Sequence, residues 1–176
     1  MYLAVEEDLC HRIDAAPWRD DLRRRVQHPG YRYDYKARRV TDDAYLGPLP
    51  DWLNVLAARL FDEGIFETLP DQVIVNEYLP GQGIAAHVDR EPCFGDVIAS
   101  LSLGSMCVMD FSHMRSDERL SQALEPGSLL VLTGDLRFNW RHGIAARKSE
   151  IVDGVVTPRK RRVSLTFRTI TKVGGD

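Results

Sequence analysis

Five segments between residues 71 and 170 constrain the fold most. DQVIVNEY, DVIASLSLG, MCVMDFS, GSLLVLTG and RRVSLTFRTI are short, rich in β-forming residues and bounded by Gly, Pro or Asp. No long helical pattern lies between them, which argues against a parallel α/β sheet and for a sandwich or jelly roll. Upstream, residues 51–66 predict a flanking helix. Trp52, Val55, Leu56, Arg59 and Leu60 recur at helical spacing, Asp51 follows Pro50 as an N-cap, and Gly64 marks a stop. The class expected is mainly β with flanking helices. A length of 176 residues suits one domain over 1–176 with a real core.

Composition narrows the function classes. A hydrophobic content of 44% and a charged content of 28% are those of an ordinary globular chain. No apolar run approaches the roughly 20 residues that span a bilayer, so no membrane partner is expected. The start, MYLAVEEDLC, turns acidic after five residues, unlike a secretory signal. Cys10, Cys93 and Cys107 are odd in number and widely spaced, which disfavours both a disulfide framework and a cysteine-rich zinc site. Free thiols fit a reducing, cytoplasmic setting.

The net charge of −3 conceals a basic stretch. Residues 18–40 hold eight Lys or Arg against three Asp, with four aromatics among them. Within it, YRYDYK alternates. As a strand it would put Tyr31, Tyr33 and Tyr35 on one face and Arg32, Asp34 and Lys36 on the other. Such a strand either buries its tyrosines in a core or offers cations to phosphates and rings to bases.

Two further patterns point to chemistry. In GIAAHVDR, a strand would aim His87 and Asp89 to one side, close enough to share an ion. A redox metal site of two histidines and one carboxylate on a single face needs a third ligand. His11 and His28 lie outside the strand-rich half, and His113 falls in a polar loop. His142, in RFNWRHG, is the best placed. In RRVSLTFR, period two sets Arg162, Ser164, Thr166 and Arg168 against Val163, Leu165 and Phe167. A face of two arginines and two hydroxyls calls for an anionic or watery partner, and an arginine fork suits a small dicarboxylate.

In order, Asn76-x-Tyr78, Gly81, His87-x-Asp89, His142 and Arg162-x5-Arg168 resemble the pattern of the AlkB family of Fe(II)- and 2-oxoglutarate-dependent dioxygenases. The resemblance covers roughly residues 18–170. NEYLPGQGI, SLSLGS and LTFR look in particular like the branch that animals join to a tRNA methyltransferase. The resemblance implies a double-stranded β-helix, the jelly roll of this family, and Fe(II), 2-oxoglutarate and O2 as cofactor and cosubstrates. It implies His87, Asp89 and His142 as the catalytic iron ligands. Asn76, Tyr78 and Arg162 would hold 2-oxoglutarate, with Arg162 on the distal carboxylate. Arg168 would support the cosubstrate or Asp89, and Ser164 stands where some members have Asn.

The implied reaction is oxidation of a modified or alkylated nucleobase in RNA or DNA, single-stranded or flipped out, with N-dealkylation releasing an aldehyde. Alternatives are hydroxylation of a tRNA wobble-base substituent, or a protein or small-molecule substrate. Residues 18–45 are expected as a hairpin or lid on the substrate side of a monomer. Tyr31, Tyr33 or Tyr35 would stack on the base, and Arg24, Arg25, Arg38 and Arg39 would hold phosphates. Arg90 and Glu91, just past the ligands, would meet the base.

Overall fold

A computed structural model of the chain describes residues 3–20, 22–37, 39–91 and 93–171. In chain order the elements are α1 (Leu3–Ala15), β1 (Val26–Gln27), a 3-10 turn (Asp42–Ala44), α2 (Asp51–Asp62), β2 (Gln72–Tyr78), β3 (Ile84–His87), β4 (Ile98–Gly104), β5 (Cys107–His113), β6 (Arg119–Leu124), β7 (Leu129–Leu132), α3 (Gly134–Phe138), β8 (Trp140–Ile144), β9 (Ser149–Val152), β10 (Val155–Pro158) and β11 (Arg162–Arg168). The five sequence-predicted segments are β2, β4, β5, β7 and β11.

The strands form a jelly roll of two antiparallel sheets, with the β9–β10 hairpin beside them. The larger sheet runs β1-β2-β11-β4-β7 and the smaller β3-β8-β5-β6. Every residue of β2 and of β11 is buried, because the larger sheet is covered on both faces. On its outer face Val73, Val75, Ala99, Leu101, Leu103, Val163, Leu165 and Phe167 pack with Leu9 and Ile13 of α1 and with Leu53, Ala57 and Leu60 of α2. Each Val, Leu, Ile or Phe among them contributes about 1.5–3 kcal/mol by leaving water. Alternation then sends Asn76, Tyr78, Arg162, Ser164, Thr166 and Arg168 to the inner face, toward the smaller sheet. There Tyr78, Ile98 and Leu132 meet Met109, Phe111 and Ile144.

Two local expectations change. Helix α2 begins after Pro50, with Asp51 as its first helical residue, and stops at Asp62. Its buried stripe is Leu53, Ala57 and Leu60, while Val55 points outward. YRYDYK is not a strand. Isolated bridges pair Tyr31 with Tyr45 and Asp34 with Arg39 around a turn. Asp34 Oδ1 accepts from the backbone N–H of Lys36 and of Ala37, the local bonding by which Asp competes with a sheet ladder.

Candidate active site

β3 and β8 bring the two histidines together. The β3–β8 register sets His87 opposite His142, with ring centroids 4.5 Å apart. Gly83 permits this approach: a Cβ there would lie 2.1 Å from the Ile144 carbonyl oxygen. Asp89 follows two residues after His87, and its Oδ2 is 3.4 Å from His142 Nε2. Ligand atoms of His87, Asp89 and His142 all lie within 4.8 Å of one another. Two ligands at right angles around an ion about 2.1 Å away stand about 3 Å apart, so the trio can bind one metal from one side.

The side chains are prepared for that role. His87 Nδ1 lies 2.9 Å from the Ala85 carbonyl. Donation through Nδ1–H leaves the Nε2 lone pair for a metal. Burial, then the neighbouring His142, pushes the His87 pKa down, favouring the neutral ring that ligation needs. Burial would raise the Asp89 pKa, but the Arg168 guanidinium, with His142 and His87, outweighs it and holds the carboxyl well below the usual range. Arg168 Nη2 donates to Asp89 Oδ1, leaving Oδ2 as the oxygen that faces His142.

The trio opens onto a cavity lined further by Asn76, Tyr78, Ser100, Arg162, Ser164, Thr166 and Arg168. Cross-strand register gathers them: Ser164 sits between Asn76 of β2 and Ser102 of β4, and Arg162 opposite Tyr78. Arg162 is only 3% exposed. Its Nη2 donates to Ser102 Oγ at 2.9 Å, yet among the described residues its Nε and Nη1 have no acceptor. No carboxylate pairs with it among the described residues. A buried guanidinium with unspent donors beside hydroxyl and amide groups is the chemistry that takes a small carboxylate.

Another cavity, of about 330 Å3, opens over His87 and Asp89. Tyr33, Tyr35, Phe94, Arg24 and Arg90 form its walls. Tyr33 stacks edge-on with Tyr35 at 5.1 Å and lies 5.5 Å from Phe94. The structure thus brings Tyr33, Tyr35 and Arg90 to the mouth of the metal trio. It does not bring Tyr31, whose ring sits 5.0 Å from Tyr45 and whose carbonyl accepts from Gln72. Glu91 is exposed on the loop after Asp89 and does not line the cavity. Arg38 lies outside the described residues.

Two arginines expected to hold phosphates pair with side chains of β2, Arg25 while still half exposed. Arg24 Nε donates to Asn76 Oδ1 at 2.9 Å, and Arg25 makes a two-pronged pair with Glu77 at 2.7 and 2.8 Å. Alternation along β2 gives each its partner, Asn76 facing the cavity and Glu77 the opposite side. Arg39 is exposed.

Sequence reasoning also missed Arg137, which is 2% exposed on α3. Its Nη1 donates to the Asp89 carbonyl at 2.7 Å, and its Nη2 and Nε to the carbonyls of Phe94 and Gly95 at 3.3 and 3.2 Å. It ties the segment leading to His142 to the loop that carries Asp89. Nothing in GDLRFNW marks an arginine for burial. Ser102 was legible in principle, because the alternation of SLSLG places it with Ser100.

Comparison with known proteins agrees with this geometry. Residues 13–168 match the model of the 2OG-Fe(II) oxygenase superfamily. The chain is 39% identical over 167 residues to the mouse tRNA (carboxymethyluridine(34)-5-O)-methyltransferase ALKBH8, covering 85% of this chain and 25% of that protein. It is 34% identical over 191 residues to the Arabidopsis thaliana alkylated DNA repair protein ALKBH8 homolog, covering 96% of this chain and 55% of that one. The chain therefore spans about a quarter and about half of these two relatives. Among solved structures, OsALKBH1 superposes with a TM-score of 0.67 at 20% identity, over 93% of this chain and 91% of that one. A jelly roll with this trio at its mouth, a family match over nearly the whole chain and AlkB-type relatives together make the protein an AlkB-like member of the 2OG-Fe(II) oxygenase superfamily, an Fe(II)- and 2-oxoglutarate-dependent dioxygenase.

Proposed function

We propose that the enzyme oxidises an alkylated or otherwise modified base of a nucleic acid, with N-dealkylation as the outcome. One observation carries this reading. The cavity over His87 and Asp89 is walled by the rings of Tyr33, Tyr35 and Phe94 with Arg24 and Arg90 beside them. Aromatic faces take a base by stacking, and the exposed Arg90 at the rim favours a polyanion. The mouth, at Tyr33, Tyr35 and Arg90, serves as the substrate side, with exposed Arg39 and Arg90 meeting the backbone.

His87, Asp89 and His142 hold the iron on one face, and Asn76, Tyr78, Ser164 and Arg162 receive 2-oxoglutarate. When bound, the pair supplies oxidation by O2 coupled to decarboxylation of 2-oxoglutarate to succinate. Arg168 keeps Asp89 ionised and turned so that one oxygen faces the metal position. Arg162 neutralises the far carboxylate within a closed cavity. Tyr33, Tyr35 and Phe94 keep water from the reacting carbon. A hydroxylated carbon on a base nitrogen then leaves as an aldehyde, and the nitrogen recovers its proton.

A second reading is hydroxylation of a substituent on a tRNA wobble base. Its support is the identity to part of a relative named for tRNA carboxymethyluridine. The name of the Arabidopsis relative favours alkylated DNA. Incubating the protein with Fe(II), 2-oxoglutarate and either total tRNA or methylated oligonucleotides, followed by mass spectrometry, separates these. Loss of a methyl group with formaldehyde release is the expected result. Gain of one oxygen on a retained group selects the second reading. No change in either nucleic acid, while 2-oxoglutarate is still consumed, defeats both. His142→Ala is expected to abolish 2-oxoglutarate consumption and serves as the blank.

A further inference from the structure

We propose that Arg24 is a positioning residue for 2-oxoglutarate, acting through the side-chain amide of Asn76. The inference rests on the assignment of the cavity around Arg162 as the cosubstrate site. Asn76 lines both that cavity and the mouth above the metal trio, so its amide belongs to the wall between them. An asparagine amide can face either way, and the two orientations offer a carboxylate opposite things: two N–H donors, or a repelling carbonyl oxygen. Something must choose.

Arg24 makes the choice. Its Nε–H lies 2.9 Å from Asn76 Oδ1. A guanidinium only donates, so the atom facing it must be the oxygen. With Oδ1 held, the two N–H donors are what the amide has left for an anion. The guanidinium is itself restrained, its central carbon 5.9 Å from the centroids of both the Tyr35 and the Tyr78 rings. The backbone nearby is pinned as well. Val26 pairs with Asn76 across β1 and β2, and Glu77 N donates to the Arg25 carbonyl. Pairing at Val26 thus brings the two arginines just before β1 alongside the end of β2, where Arg24 reaches Asn76 and Arg25 reaches Glu77 on the other side. The first arginine serves the cavity and the second the scaffold. Arg24 touches neither the metal trio nor the reacting carbon in this scheme, and its effect falls on cosubstrate affinity.

Calorimetric titration of 2-oxoglutarate into the Mn(II)-loaded protein tests this without turnover. Arg24→Ala is expected to weaken binding about tenfold, the lower end of what one charge-assisted hydrogen bond is worth. Arg24→Lys should recover part of that, because an ammonium also donates to Oδ1. Asn76→Ala should weaken binding by at least as much, and adding Arg24→Ala to it should change nothing further. A role limited to holding the fold would instead lower affinity in both backgrounds alike. Unchanged affinity in Arg24→Ala, or an equal loss on the Asn76→Ala background, overturns the proposal. Arg162→Met is the control for the underlying assignment. If it binds 2-oxoglutarate like the parent, the cavity is misassigned, and the role of Arg24 falls with it.

Discussion

Replacing Arg162 with methionine should leave the protein about as stable without 2-oxoglutarate while removing most of its response to it. The guanidinium is 3% exposed, and two of its three nitrogens have no acceptor among the described residues. Keeping such donors from protein partners costs about 1–3 kcal/mol. The Tyr78 ring, 5.4 Å from the guanidinium carbon, returns about 0.5–2 kcal/mol. Methionine fills most of the same space and carries no charge, but it leaves Ser102 Oγ without its donor, a loss of about 1 kcal/mol. The terms nearly cancel, with a balance between about 2 kcal/mol of destabilisation and about 1.5 kcal/mol of stabilisation, a Tm within several degrees of the parent in a domain of this size. Ligand linkage works the other way. At a hundred times its Kd, 2-oxoglutarate stabilises the parent by about 2.7 kcal/mol. Losing the charge pair costs about 2–5 kcal/mol of binding, enough to cut that response to less than about 1 kcal/mol at the same concentration. Differential scanning calorimetry of parent and Arg162→Met, with Mn(II) and with or without 2-oxoglutarate, measures both quantities. A variant that melts more than about 2 kcal/mol below the parent in the absence of ligand, yet is stabilised by 2-oxoglutarate as strongly as the parent, would refute the reasoning.

Two other perturbations probe the scaffold. Gly83→Ala sets a methyl group against the Ile144 carbonyl, which is backbone and cannot rotate away; it should cost about 1–3 kcal/mol and weaken Mn(II) binding by spreading β3 from β8, and parent-like melting and titration curves would contradict this. Glu77, buried between Arg25 and Arg161, has its pKa pulled down by its hydrogen bond to Arg25, against burial, with help from Arg161. Its folded value lies below the unfolded one, so its stabilisation is complete above the unfolded pKa of about 4.3 and fades as pH falls through the folded value. Glu77→Gln should therefore melt lower than the parent at pH 7, with the gap closing in acid; a gap that stays constant down to pH 3 would count against the pair.

How much of this was legible in the sequence depended on period and chain distance. The strand pattern of β2 and β11 exposed both the apolar face and the polar one, because alternation is local and the two cores impose it strictly. His87 and Asp89 were legible as a pair for the same reason. The basic segment misled, because alternation there reflects half-burial of Tyr31, Tyr33 and Tyr35 along an irregular loop and not a ladder. Nor did charge reveal destination. Arg24, Arg25 and Arg137 read as surface cations, yet their partners are an amide and a carboxylate 52 residues away and the carbonyl oxygens of a distant loop. Helix α1 escaped notice because its buried stripe is narrow, with Leu9 and Ile13 in the core and Cys10 packed against it among the described residues.

The position of β11 also orders the assembly of the molecule. It lies at the centre of its sheet, between β2 and β4, although both partners precede it by some sixty residues or more of chain. Until residue 168 is available, β2 and β4 each present an open edge with no neighbour between them. Closing that gap is a long-range pairing that must wait for the entropy of a large loop to be overcome, so the sheet should complete late and slowly. A nascent or truncated chain would expose two unpaired strand edges, a template for association between copies. The strand that carries both arginines thus also decides whether the chain folds alone or aggregates on the way.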